Sequence, residues 1–174
     1  MARSNLIPLA YELVLKASQT PWRRQTYHKI LVPLDGSPQA EKVVGMVQPL
    51  LSPGGKLILL QVVPTGKSQE SGEDLMLADR LAEARCAGAR GYLQGVVSYL
   101  APAPGRCRCE VITSDSVSQG VVAFAEREEV DLIAMYDHER KGLAKLIQPS
   151  VAREVQQGTS ILVRVMRPRD LVAV

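Results

Sequence analysis

Five short runs rich in Ile, Leu and Val alternate with four stretches of helical periodicity, and this alternation restricts the fold more than any other feature of the chain. The runs are Lys29 to Leu34, Lys56 to Val63, Arg106 to Ile112, Asp131 to Met135 and Ser160 to Val165. Most are apolar at consecutive positions, the pattern of parallel strands covered on both faces. Helices are predicted between them, over Ser37 to Leu51, Glu73 to Leu100, Ser116 to Glu129 and Gly142 to Gln157. Each connection is long enough for a right-handed crossover. The economical fold class is α/β, a doubly wound five-stranded parallel sheet.

Local chemistry marks the boundaries. Asp35-Gly36-Ser37-Pro38 closes the first strand, with Ser37 as N-cap and Pro38 suited to the first helical position. Ser52-Pro-Gly-Gly55 is expected to end the first helix and turn the chain into the second strand. Ala101-Pro-Ala-Pro-Gly105 ends the long second helix, and Gly158-Thr159 ends the last.

Composition mainly excludes. With 174 residues, 46% of them hydrophobic, the chain has enough apolar material for one sizeable core and a short appendage. A net charge of +3 and 4% aromatic residues do not suit a nucleic-acid surface, which wants a concentrated basic face and stacking rings. No apolar run approaches the roughly 18 residues of a membrane span. Glu12 and Lys16 interrupt the N-terminal apolar stretch before a secretory core develops, so a soluble, cytoplasmic protein is expected. The three cysteines fit that compartment, with Cys107 and Cys109 on one face of a strand. Neither they nor His28 and His138 form a metal-ligand pattern, and no metal is expected.

In doubly wound sheets, ligands settle beyond the carboxyl ends of the strands where the winding direction reverses. Asp35, at the end of the first strand, is the sharpest candidate there. Its carboxylate can accept from an adenine amino group or ribose hydroxyls, or it can shape the turn by accepting N–H bonds from Gly36 and Ser37. The sequence leaves both open. No nucleophile elbow, Walker A or metalloprotease pattern occurs, so no catalysis is expected; His138 is the one candidate base.

The segments Ile30-Leu-Val-Pro-Leu-Asp35-Gly36-Ser37-Pro38-Gln-Ala40, Ala125-Glu-Arg-Glu-Glu-Val-Asp131-Leu-Ile-Ala-Met135 and Ser150-Val-Ala-Arg-Glu-Val155 resemble the universal stress protein family. The likeness runs from about Tyr27 to Arg167 and implies an adenine-nucleotide alpha-hydrolase-like fold with strand order 3-2-1-4-5. It also implies a homodimer through the last strand, here Ser160 to Val165. Nucleotide-binding members carry Gly-x-x-Gly-x9-Gly-Ser/Thr after strand four. On this chain those positions are Tyr136, Glu139, Pro149 and Ser150, so only the hydroxyl survives. A carboxylate and a proline in place of N–H donors weaken any phosphate grip. No cofactor is expected, with ATP or AMP at low affinity as the alternative, held by Asp35, Ser150, Arg140 and Lys141, with Lys145 nearby.

The expected domains are an N-terminal amphipathic helical extension over residues 1–26, the universal stress protein domain over 27–169 and a tail over 170–174. In the extension, Leu6, Leu9, Ala10, Leu13, Val14 and Ala17 recur at helical spacing and form one apolar stripe. So short a helix is marginal alone, and its stripe must be buried against protein, the favoured reading, or at a membrane surface. The expected function is non-catalytic regulation or scaffolding through dimerisation and partner docking. The alternative is weak sensing of ATP, AMP or a cyclic dinucleotide.

Overall fold

The computed structural model describes residues 25–65, 73–100, 105–137 and 150–167. The expected N-terminal helix, the start of the last helix and the C-terminal tail lie outside them. Five strands, β1 (Tyr27–Pro33), β2 (Leu51–Pro64), β3 (Cys107–Ser114), β4 (Leu132–Tyr136) and β5 (Leu162–Met166), form one sheet in the order β3-β2-β1-β4-β5. Every neighbouring pair is parallel. The crossovers are α1 (Pro38–Val47), α2 (Glu73–Leu100), α3 (Val117–Arg127) and α4 (Val151–Gly158), with a 3-10 turn at Gln48–Leu50 after α1.

Because side chains alternate between faces along a strand, consecutive apolar residues feed two cores. Ile30, Val32, Leu57, Leu59, Leu132 and Ala134 meet Val43, Val44 and Val47 of α1 and Leu93 and Val96 of α2. Leu31, Ile58, Leu60, Ile133 and Met135 point the other way, onto Val121, Phe124 and Ala125 of α3 and Ala152 and Val155 of α4. Each fully buried Leu, Ile or Val contributes about 1.5–3 kcal/mol relative to exposure.

Ser52-Pro-Gly-Gly55 differs from expectation, since it lies inside β2 instead of before it. Tyr27 pairs with Leu51 and Lys29 with Lys56, so Ser52 to Gly55 bulge out opposite His28 alone. Arg106 holds the bulge by donating from Nε to the Gly55 carbonyl at 3.0 Å and from its guanidinium to the Ser52 carbonyl at 2.7 Å. A Cβ at Gly55 would lie 2.9 Å from the Tyr27 oxygen and 3.0 and 3.1 Å from those of Ser52 and His28.

The ladders are unequal. β2 and β3 stay in register from Leu57 to Pro64 on β2, whereas β1 meets β4 only at Ile30–Leu132 and Leu31–Ile133. The Leu34 N–H donates to Leu60 of β2, and the Lys29 oxygen accepts from Asp131 at the β4 side. Backbone groups alternate sides along a strand, so position 33 faces β4, and Pro33 has no N–H to give. The sheet parts at that point.

Candidate functional site

Where β1 and β4 part, their connections also diverge, α1 to one face and α4 to the other. The resulting cleft, about 420 Å³, is walled by Pro33, Leu34 and Asp35 after β1, Leu60 to Val62 and Pro64 on β2, and Met135 to Asp137 at the end of β4. The first turns of α1, α3 and α4 complete it through Ala40, Val117 and Val121, and Ser150 to Ala152. Each of these helices starts on a serine cap. Ser37 accepts from the Ala40 N–H at 3.2 Å, Ser116 from Gln119 at 3.4 Å and Ser150 from Arg153 at 3.2 Å. One solution to the unpaired N–H groups of a helix start is thus used three times around one cleft.

Asp35 sits at the mouth, exposed, with its Oδ1 accepting the Ser37 N–H at 2.9 Å. The turn-shaping reading of this residue is therefore realised, with Gly36 taking the positive φ of +87° that the turn needs. The same carboxylate lines the cleft. Tyr92 of α2 lies behind the turn, where burial and then the nearby Glu41 and Asp35 carboxylates push its phenol well above the ordinary range. Its hydroxyl is buried, and Glu41 approaches it without meeting hydrogen-bond geometry.

Ser150 reaches the opposite wall at the start of α4, and its hydroxyl, already an acceptor for the cap, keeps a proton to donate. Tyr136 is half-buried and leans on the α1 side of the core, filling space that a glycine would leave open. The Asp137 N–H is taken by the Met166 carbonyl at 2.8 Å, which ties the loop's first residue to β5. Of the predicted site residues, the structure thus brings Asp35 and Ser150 to one cleft. His138, Glu139, Arg140, Lys141, Lys145 and Pro149 lie outside the described residues.

Gln61, Val121 and Met135 line the cleft and were not singled out from sequence. Gln61 did carry a signal, as the one polar residue inside the apolar run of β2, and its Oε1 is buried without a hydrogen-bond partner among the described residues. Cys86, Cys107 and Cys109 are free thiols, and burial, then Cys109, push Cys107 up to about 11. Among the described residues, no group of three or more His, Cys, Asp or Glu could hold a metal, and no helix is long and apolar enough to cross a membrane.

Compared with known families, residues 26–167 match the model of the universal stress protein family. The chain belongs to the universal stress protein family. Solved structures agree on the fold. The hypothetical protein MJ0577 superposes with a TM-score of 0.67 at 23% identity, over 82% of this chain and 96% of its own. The universal stress protein UspA from Lactobacillus plantarum gives 0.65 at 21%, over 82% and 99%. A universal stress protein in complex with cAMP gives 0.54 at 16%, over 82% and 98%. No curated protein matches the chain. Within this universal stress fold, the cleft lies at the winding reversal, where the doubly wound architecture places ligands.

Proposed function

We propose that this universal stress protein is a non-catalytic regulatory or scaffolding protein that acts as a homodimer through β5 and docks a protein partner. The observation that carries the reading is the character of β5. It is the last strand of the sheet, bonded to β4 on one side, and presents Leu162 at 40% exposure with half-buried Ile161, Val163 and Val165. An apolar edge strand of this kind is a pairing surface unless something covers it. Light scattering at micromolar concentration is expected to give the mass of a dimer, and Leu162→Lys that of a monomer. A monomeric wild type would overturn the dimer. ATP turnover abolished by His138→Ala would overturn the non-catalytic reading.

A second reading, weak adenine-nucleotide sensing, is favoured by the cleft itself. Its volume falls within the roughly 300–1,000 Å³ of small-molecule sites, and it holds both Asp35 and Ser150. The cAMP complex of a structural relative is consistent with such a ligand. Calorimetric titration with ATP, AMP and cyclic dinucleotides separates the readings. Micromolar binding lost in Asp35→Ala would put the sensor first.

A further inference from the structure

We infer that Gln61 selects the base of a nucleotide in the cleft by accepting a hydrogen bond from an exocyclic amino group, a role that rests on the nucleotide-sensing reading. Gln61 stands one residue past Leu60, the last position of β2 in register with β1, where it meets Pro33. From there β1 turns away through Asp35, while β2 runs on beside β3, with Gln61 opposite Val111 and Pro64 opposite Ser114. β2 is thus uncovered at Gln61, which lines the cleft. By strand alternation its side chain shares the face of Leu57 and Leu59, two fully buried core residues.

An amide in that place costs stability that an apolar side chain of the same length would not, because its Oε1 is buried and unpartnered among the described residues. The groups beside it in the cleft wall do not relieve it. Pro33 and Pro64 have no N–H, the Leu34 N–H is committed to the Leu60 carbonyl at 2.8 Å, and the Asp35 carboxylate accepts rather than donates. Among the described residues only the Tyr92 hydroxyl is also a buried side-chain group without a partner, so these two do not satisfy each other. The donor that this wall lacks must therefore arrive with a ligand. A terminal amide torsion turns easily, so the oxygen can be presented to the cleft. The far wall has the opposite chemistry, since the Ser150 hydroxyl accepts from Arg153 and keeps a proton to donate. Between them Val62, Val117 and Val151 supply apolar surface. A ligand suited to both ends is a planar, largely apolar ring with an amino group at one end and phosphate oxygens at the other, which describes an aminopurine nucleotide.

Calorimetric titration of the full chain with AMP and with purine riboside monophosphate, which has a hydrogen in place of the amino group, closes a cycle with Gln61→Met. An oxo purine is a poorer control, because the amide can turn its N–H groups toward an oxygen. Wild type is expected to bind AMP about tenfold or more tightly than the analogue, and Gln61→Met to bind the two within about twofold of each other. The urea midpoint of Gln61→Met is expected to be unchanged or raised, as an orphaned acceptor is removed. Gln61→Leu repeats the cycle should the methionine disturb β2. Equal affinity of wild type for the two nucleotides, or a preference for AMP kept in Gln61→Met, would overturn the role of Gln61 and leave nucleotide sensing standing. A Gln61-dependent preference for AMP over its deoxyribose form, with the amino group making no difference, would assign the amide to the sugar and overturn base selection. Loss of stability in both Gln61→Met and Tyr92→Phe, with AMP affinity unchanged, would make the amide a structural partner of Tyr92 and overturn it too. No binding of either nucleotide by wild type at millimolar concentration would overturn the sensing reading together with this role.

Discussion

At Gly55, three backbone carbonyls crowd the position a side chain would take, the nearest at 2.9 Å. None of them is a flexible group that can swing away, since Tyr27 is fixed by β1 pairing, His28 by its N–H bond to the Asp131 carboxylate and Ser52 by Arg106. Gly55→Ala is therefore expected to cost about 1–3 kcal/mol, the range for an extra carbon forced into a packed site. Arg106→Ala removes charged donors from the Ser52 and Gly55 carbonyls and should cost a similar amount, about 1.5–3 kcal/mol. Because both changes loosen one bulge, the double variant should lose less than the sum in urea denaturation. Strict additivity would mean the two residues act separately. Sequence shows that Pro-Gly-Gly breaks regular structure, but not that the break lies inside a strand. That depended on carbonyls of Tyr27 and His28, which lie 24 or more positions before Ser52, and on Arg106, farther still. Asp35 was legible for the opposite reason, since its partner Ser37 is two residues away and turn chemistry is local.

At the scale of elements, edge strand β3 is fastened to the end of α3 by Arg108, which pairs with both Glu110 and Glu128. The hydrogen bond from Arg108 holds the Glu128 carboxyl below its ordinary range, with Arg127 and Lys29 adding to the effect. A carboxylate whose pKa is lowered by folding stabilises the protein above its unfolded pKa, and that stability is lost as pH falls through the folded value. The loss should thus begin near the ordinary value of 4.5 and continue below it. Since Arg108 is about half exposed, the pair is worth about 0.5 kcal/mol after solvent screening. Glu128→Gln is expected to lower stability by that amount at neutral pH and to flatten the acid limb of a stability–pH curve. A variant with an unchanged acid limb would rule out this coupling. The helices themselves were readable from sequence wherever a serine cap met an apolar period, as at Ser37 and Ser116. The apolar lining of the cleft was not, because Val121 and Met135 look like any core residue until three helix starts converge beside them.

For the whole molecule, two cores share one sheet, so neither can dissolve without exposing strands that the other needs. Phe124, 2% exposed on the α3 side, and Leu93, fully buried on the α2 side, report on the two layers. Phe124→Ala is expected to cost about 3–5 kcal/mol and Leu93→Ala about 2–5 kcal/mol. Each should shift one cooperative urea transition without splitting it, followed by far-UV circular dichroism. A second transition in either variant would show that the layers unfold independently. Periodicity alone gave the parallel class and both buried faces. Strand order came from family resemblance, because nothing in the composition of an apolar strand states which neighbour it takes. Once that order is in place, Pro33 acquires a meaning it lacks in the linear chain. With only Ile30 and Leu31 of β1 in register with β4, the sheet behaves as a three-leaf panel and a two-leaf panel joined by a short stitch. A backbone nitrogen without a proton thus marks where the panels come apart, and any molecule wedged between them would work against two paired positions and the Asp131 bond to Lys29 rather than a full ladder.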